Sequence, residues 1–386
     1  MSLIGQSVTI TGAGVAGLAA ARALALRGAK VTVLEQADAI REVGAGLQIS
    51  PNGACVLRAL GLQSDLDAVS TRADAVQLID GPTGDPVTRL DLARLRPGQG
   101  YHFLHRADLV ALLLKGATEA GVTLRLLSRV DSIDLSGAAP AVVLENGERI
   151  ETPLLIGADG LHSRIRRALN GPETPFFTNQ VAWRAVIPCE SGATPVAEVH
   201  MGPGRHLVSY PLRGGTLRNI VAVEERAKWA EESWTLRDDP MDLRLAFEGF
   251  SARVRGWLDR VEDPWLWGLF RHKVAQTWVK PMQQGGAVIL GDAAHPTLPF
   301  LAQGASMGLE DAWVLAEALA THDTTAAALA AFEAARKPRT TRIVSAANAN
   351  ARAYHLSGLP RMIGHTGLRL LGRLSPGAML ARFDWL

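Results

Sequence analysis

Gly12-Ala13-Gly14-Val15-Ala16-Gly17 forms a G-x-G-x-x-G run, and an acid, Glu35, stands roughly 20 residues further on. Each type suits one job in gripping a dinucleotide. Gly12 permits a tight strand-to-helix turn, Gly14 lets the backbone approach a pyrophosphate, and Gly17 allows a helix to pack closely on a strand. The helix that follows turns its positive end toward the phosphates. Glu35 can accept hydrogen bonds from ribose hydroxyls and would repel a 2′-phosphate. A second set could move protons and hold anions. His206 and Tyr210 lie on one face if His206-Leu207-Val208-Ser209-Tyr210 is a strand. An imidazole, with its ordinary pKa of about 6.5, suits proton transfer near neutrality. Arg184 could pair with a substrate carboxylate or sit in a structural salt bridge.

These residues need elements to position them. Val8-Thr9-Ile10-Thr11 reads as a strand, Leu18 to Arg27 as a helix closed by Gly28, and Lys30 to Glu35 as a second strand. That is one complete β-α-β unit. No other G-x-G-x-x-G occurs, so there is one dedicated dinucleotide slot, although the fingerprint alone does not separate FAD from NAD. Further helices are predicted over Pro51 to Leu60, Asp108 to Ala120 and about Gly304 to His322. Asn146-Gly147 marks a tight turn between two strand-like runs, and Leu154-Leu155-Ile156-Gly157 reads as a buried parallel strand. Between about Pro172 and Ala275 the texture becomes alternating and antiparallel, and after His322 it is helical.

Composition sets the bounds. At 386 residues the chain calls for two or three packed units, and 47% hydrophobic with 20% charged residues is globular. A net charge of +2 argues against a nucleic-acid binder. Two cysteines, Cys55 and Cys189, read as packed thiols and suit a reducing, cytoplasmic setting. The apolar run Val8 to Leu26 is broken by three glycines and Arg22 and lacks a basic leader, so neither signal peptide nor membrane span is expected.

Two further segments carry a resemblance. Gly157-Ala158-Asp159-Gly160, continuing to Arg166, resembles the DG motif of class A (single-component) FAD-dependent aromatic hydroxylases. Gly291-Asp292-Ala293-Ala294-His295-Pro296, continuing through Pro299-Phe300 to Gly304, resembles their GD motif. His105-Arg106-Ala107-Asp108-Leu109 and the closing Phe383-Asp384-Trp385-Leu386 look like the branch of salicylate hydroxylase, 3-hydroxybenzoate 6-hydroxylase and 6-hydroxynicotinate 3-monooxygenase. The resemblance spans essentially the whole chain, with the motifs in the family's order.

It implies an α/β fold: a discontinuous, para-hydroxybenzoate hydroxylase-like Rossmann-type FAD-binding domain (residues 1–75, 100–172 and 276–320). A β-rich substrate domain (76–99 and 173–275) is inserted, a helical region (321–386) closes the chain, and no further thioredoxin-like domain is expected. Non-covalent FAD would rest on Gly12, Gly14, Ala16, Gly17 and Glu35, with Arg106 at its middle. Asp159 would serve FAD and the transient docking of NADH or NADPH, and Asp292 the ribityl chain. Gly304, Ala305 and Ser306 would meet the flavin pyrimidine edge, where a helix start also favours negative charge.

The implied reaction is flavin reduction by NAD(P)H, addition of O2 at flavin C4a to give a hydroperoxide, and attack by an electron-rich phenolic or heteroaromatic ring. His206 and Tyr210 match the strand that contacts the phenol in the 3-hydroxybenzoate branch, which makes them the catalytic candidates. Arg184, Pro299 and Phe300 would line the substrate pocket, the last two as an apolar wall where relatives carry Gln or His. Two alternatives stay open: an epoxidase or other monooxygenase on a non-phenolic substrate, and an FAD-binding reductase or ligand-binding protein that does not oxygenate. A homodimer through the helical tail is a further expectation.

Other signals read more plainly. Gly304-Ala305-Ser306-Met307-Gly308 matches a hydrolase elbow, but no strand runs into it. His102 and His105 lack the companions of a metal site. Arg164, Arg166 and Arg167 read as a solvated helix face that could also help steer NAD(P)H, and Trp265 with Trp267 as core.

Overall fold

The computed structural model describes residues 3–40, 45–227 and 236–381; the closing Phe383 to Leu386 lies outside them. Ser7–Thr11 is the centre of a six-stranded sheet, parallel to Lys30–Leu34 on one side and Leu154–Gly157 on the other. Leu154–Gly157 in turn pairs in parallel with Gly285–Ile289, and Lys30–Leu34 with Thr123–Arg125. Four distant stretches of chain thus build one sheet. Strands covered on both faces are largely apolar, and Val8, Ile10, Leu154 to Ile156 and Ala287 to Ile289 are buried accordingly.

The Ala-rich helix Val15–Ala25 lies between this sheet and two others, Arg106–Glu119 and Gly304–Thr321, with Gly17 through Leu24 all buried. Small side chains are what that close packing allows. Arg22, the charge inside the apolar run, donates to the carbonyls of Leu60 and Gly116. It closes two helix ends that would otherwise be buried without partners.

A second, seven-stranded sheet runs in the order Trp265–Arg271, Phe176–Pro188, Leu217–Glu225, Arg205–Leu212, Val196–Gly202, Ala75–Asp80, Pro86–Asp91. Its pairs are antiparallel except Ala75–Asp80 with Val196–Gly202. Alternation divides its faces. Trp183, Leu207, Ile220 and Ala222 pack under the helices Pro240–Ala246 and Ala252–Leu258 with Leu243, Phe247 and Trp257. His206, Val208 and Tyr210 point the other way, toward the dinucleotide-binding unit.

The 30-residue helix Thr325–Tyr354 ties the halves together. Its Arg336 is fully buried between Glu310 and Asp311, at 2.5 and 2.7 Å. Burial alone would raise the Asp311 carboxyl, but His295 and Arg336 hold it down to about 2. No described helix is long and apolar enough to cross a membrane.

Candidate active site

Two joined clefts open where the C-terminal ends of Ser7–Thr11 and Leu154–Gly157 diverge, which is where a doubly wound sheet offers its crevice. They share Gly14, Arg106, Ala158 and Gly160. The larger, about 860 Å³, is bounded by Gly12 to Gly14, Glu35, Ser128, Arg129 and Asp159 to Arg164. The smaller, about 350 Å³, lies against the seven-stranded sheet.

The glycine turn is built for a ligand. Gly12 has φ +95°, and a Cβ there would meet the Ala158 carbonyl oxygen at 2.5 Å. A Cβ on Gly17 would lie 2.0 Å from the Gly12 oxygen, so that glycine serves packing and lines neither cleft. At Gly14 a Cβ would meet nothing within 4 Å. The space over Gly14 is therefore open cleft at the start of a helix, as a pyrophosphate requires.

Glu35 stands at the end of its strand, one oxygen accepting from the Ala13 amide at 2.9 Å and the other from the Ala37 amide at 3.0 Å. Both bonds hold its carboxylate at the rim of the larger cleft. One Asp159 oxygen accepts from the Arg164 amide at 2.8 Å, while the other is buried with no partner among the described residues. Burial raises its pKa. An orphaned buried acceptor beside open space is what a donor-bearing ligand would satisfy.

Asp292 sits on a short turn whose first amide, Gly291 N–H, donates to Asp311 at 2.9 Å; His295 bonds the same oxygen at 2.5 Å. The buried Asp311–Arg336 pair thus fixes the turn that aims Asp292 into the smaller cleft. Asp292 is open to the cleft but walled by protein on its other sides, and this enclosure raises its carboxyl pKa against the opposing pull of His295 and Arg106.

The helix Gly304–Thr321 presents Gly304, Ala305 and Gly308 to the cleft. Ser306, predicted beside them as a cofactor residue, turns its side chain away to Ser50 at 3.0 Å. It is fully buried and lines neither cleft. Asn52 and Gln303 join the same buried network, the Asn52 amide donating to Gln303 at 3.0 Å and to Glu310 at 2.6 Å. Nothing in the sequence spacing announces this brace beneath the helix start.

The smaller cleft gathers Arg184, His206, Val208, Tyr210, Trp267, Pro299 and Phe300. Their common side follows from register: Arg184 is opposite Val221, which is opposite Val208, and His206 lies one alternate position along. The Arg184 guanidinium stacks on Trp267 with 4.8 Å to the ring centroid. It has no hydrogen-bond or salt-bridge acceptor among the described residues, so of the two sequence readings the salt bridge has no partner here. Burial, more than the nearby Arg106, lowers its pKa, which marks a cation short of counter-charge.

Burial also drives His206 well below the ordinary histidine range, with His355 adding to the shift, so its imidazole is neutral at physiological pH. Burial pushes Tyr210 up; Arg184, Gln48 and Asn219 oppose this only in part. Tyr210 therefore remains a neutral hydroxyl. Pro299 and Phe300 form an apolar wall, with Phe300 edge-on to His206 at 5.1 Å.

Several sequence readings need amending. Arg166 is buried rather than solvated: it pairs with Glu173 at 2.7 Å and donates to the carbonyls of Lys273, Ala293 and Ala294. Arg164 and Arg167 do remain exposed. Trp267 is buried, as read, and in addition lines the smaller cleft, paired with Ala182, which lines it too. His102 bonds Ser70 at 2.9 Å, and His105 caps the helix Arg106–Glu119.

Comparison with known proteins agrees with this architecture. Residues 6–347 match the family described as FAD binding domain. The chain is 31% identical over 388 residues to 3-amino-4-hydroxybenzoate 2-monooxygenase of Streptomyces platensis, covering 98% of this chain and 95% of that one. It is 34% identical over 366 residues to 3-hydroxybenzoate 6-hydroxylase of Klebsiella oxytoca, covering 92% and 90%. HpxO of Klebsiella pneumoniae, solved with FAD and uric acid, superposes with a TM-score of 0.86 at 24% identity, covering 98% and 96%. The chain therefore belongs to the FAD-binding-domain family, in its class A aromatic-hydroxylase branch, and is an FAD-dependent monooxygenase of small aromatic compounds.

Proposed function

We propose that the substrate is a single aromatic ring carrying both a phenol and a carboxylate, a hydroxybenzoate in the broad sense. The observation that supports this most strongly is Arg184, a partly enclosed guanidinium in the smaller cleft with no described acceptor. A buried charge of this kind costs stability unless something pairs with it. A bound carboxylate is the planar acceptor that its donors fit. A cleft of about 350 Å³ suits one ring. Two of the chain's relatives are named for hydroxybenzoates.

In this reading the larger cleft holds the AMP half of FAD, with Gly12 to Gly14 at the pyrophosphate, Glu35 at the ribose, and Arg106 and Asp159 at the centre. Ala16, Asp292, Gly304, Ala305 and Gly308 face the flavin end. The flavin, once bound, supplies hydride acceptance from NADH or NADPH and the activation of O2. The protein does the rest. Arg184 anchors the carboxylate, Pro299, Phe300 and Trp267 exclude water, and neutral His206 accepts the phenol proton so that the ring becomes more electron-rich. Tyr210, kept as a hydroxyl, donates a hydrogen bond to the resulting phenolate.

The test is a binding contrast on the FAD-loaded enzyme between 3-hydroxybenzoate and 3-hydroxybenzyl alcohol, followed by flavin absorbance. The acid should bind ~10- to 100-fold more tightly, the worth of one charged hydrogen-bonded contact. Arg184→Gln should erase that preference. Equal affinity for both ligands in the unaltered enzyme would refute the proposal.

A further inference from the structure

Behind His206 the hydrogen bonds do not stop. Its Nδ1 lies 2.7 Å from Nε2 of His355, and Nδ1 of His355 lies 2.7 Å from a carboxylate oxygen of Glu225. His206 and His355 are buried, while the Glu225 side chain is 52% exposed. We propose that His355 and Glu225 form a proton path that sets the tautomer of His206 and carries the substrate's phenolic proton from the cleft to solvent. This rests on the reading of His206 as the proton acceptor.

The donors and acceptors along the chain leave one neutral arrangement. A carboxylate only accepts, so Nδ1 of His355 carries the hydrogen. Neutral His355 then offers a bare Nε2, and Nδ1–H of His206 donates to it. That leaves Nε2 of His206 unprotonated on a ring that borders the cleft. A base needs that tautomer.

The chain is held at every joint. Phe300 and Tyr354 flank the His206 ring at 5.1 and 5.3 Å. The Gly204 amide donates to the His355 carbonyl at 3.1 Å, and the Glu225 amide donates to the Gly204 carbonyl at 2.9 Å. His355 ends the helix Thr325–Tyr354 and Glu225 ends the strand Leu217–Glu225, with Arg205, Glu224 and Arg226 as charged neighbours among the described residues. Arg205 and Arg226 both pair with Glu224, at 3.2 and 2.9 Å, which leaves Glu225 to His355.

The transfers balance without a co-reactant. The phenol O–H bond breaks and its proton bonds to Nε2 of His206. The hydrogen on Nδ1 of His206 passes to Nε2 of His355, and that on Nδ1 of His355 passes to Glu225, which yields it to water. When the hydroxylated product takes a proton back, the same shifts in reverse restore both tautomers. Burial makes His206 too weak a base to retain a proton, so a route onward is needed. His355, whose pKa is lowered by burial and by Arg205 but raised by Glu225, is better placed to pass one on.

The first arm of the test needs no substrate. Nuclear resonance of the FAD-loaded enzyme with 15N-labelled imidazoles, assigned with His206→Asn and His355→Phe, should show one His206 tautomer with hydrogen on Nδ1. Glu225→Gln, whose amide can donate as well as accept, should convert this to a mixture. An unchanged His206 tautomer in Glu225→Gln would overturn the proposal.

The second arm follows proton release with an indicator dye when 3-hydroxybenzoate binds. His355→Phe should slow release at least ~10-fold while FAD affinity stays the same, and external imidazole should restore the rate in His355→Ala. Glu225→Gln should slow it a few-fold. Fast release in His206→Asn would defeat the base reading itself. Slow release in that variant with unaltered release in His355→Phe would defeat only the relay. If 3-hydroxybenzoate leaves the flavin spectrum unchanged, the hydroxybenzoate reading falls and the tautomer comparison alone decides the relay.

Discussion

The two clefts are made of different material. The larger is founded on backbone, a glycine turn with helix starts and amides, and is rimmed by charged residues that include Glu35, Arg106, Arg129 and Asp159. The smaller is shaped by side chains delivered from the seven-stranded sheet, the Gly46–Ile49 strand and the loop before Gly304. Backbone sites demand particular residue types at fixed spacing, whereas side-chain pockets demand only that several strands meet in the right register. The first kind tolerates almost no change. The second can be retuned one residue at a time, as suits a scaffold that holds a common cofactor and varied rings.

Substitutions can break this contrast or sharpen it. The largest effect should come from Gly12→Val, which strains a φ of +95° and drives a side chain into the Ala158 carbonyl. We expect loss of FAD and of soluble protein, read by flavin content and circular dichroism. Arg336→Met should follow. It strands Glu310 and Asp311 as buried charges and should cost about 3–5 kcal/mol in urea unfolding. It also loosens the turn that carries Asp292, so FAD affinity should fall with stability.

Gly14→Ala separates fold from binding. Its backbone is ordinary and its Cβ would meet open space, so the apoprotein should unfold as before. FAD should nevertheless bind about 10-fold more weakly, measured by flavin fluorescence, since the methyl occupies the pyrophosphate's approach. Equal losses for Gly12 and Gly14 would mean that the turn is merely structural.

The smallest effect concerns pH. His206 is held neutral in the fold, so below about 6.5 the unfolded chain binds a proton that the native state refuses. Stability should fall with falling pH in that window, by up to about 1.4 kcal/mol per unit for this group. His206→Asn should flatten the slope of thermal unfolding against pH between about 6.5 and 5.5. Above that window the variant and the parent should run parallel.

How much could be read from sequence follows the same division. The β-α-β unit, the buried strand at Leu154 and the helix starting at Gly304 all appear within a residue or a few of their predicted places, because local periodicity and glycine spacing specify them. The shared face of His206 and Tyr210 was legible from alternation, but not the direction of that face, which depends on where the helices Pro240–Ala246 and Ala252–Leu258 dock. Arg166 was misread because a basic cluster looks solvated until the carbonyls of Ala293 and Ala294, more than 120 residues away, are seen to claim it. His355 and Glu225 carry no local mark at all. They meet His206 only because a helix end packs on a strand end.

One measurement bears most directly on the whole. Flavin bleaching by NADH or NADPH should be followed anaerobically in stopped flow with and without 3-hydroxybenzoate, and the oxygenated product then weighed after reaction with 18O2. The expected result is faster bleaching with the acid, and a product heavier by one labelled oxygen. Bleaching at one rate with every hydroxybenzoate, with peroxide as the sole oxygen product, would contradict the assignment of the smaller cleft.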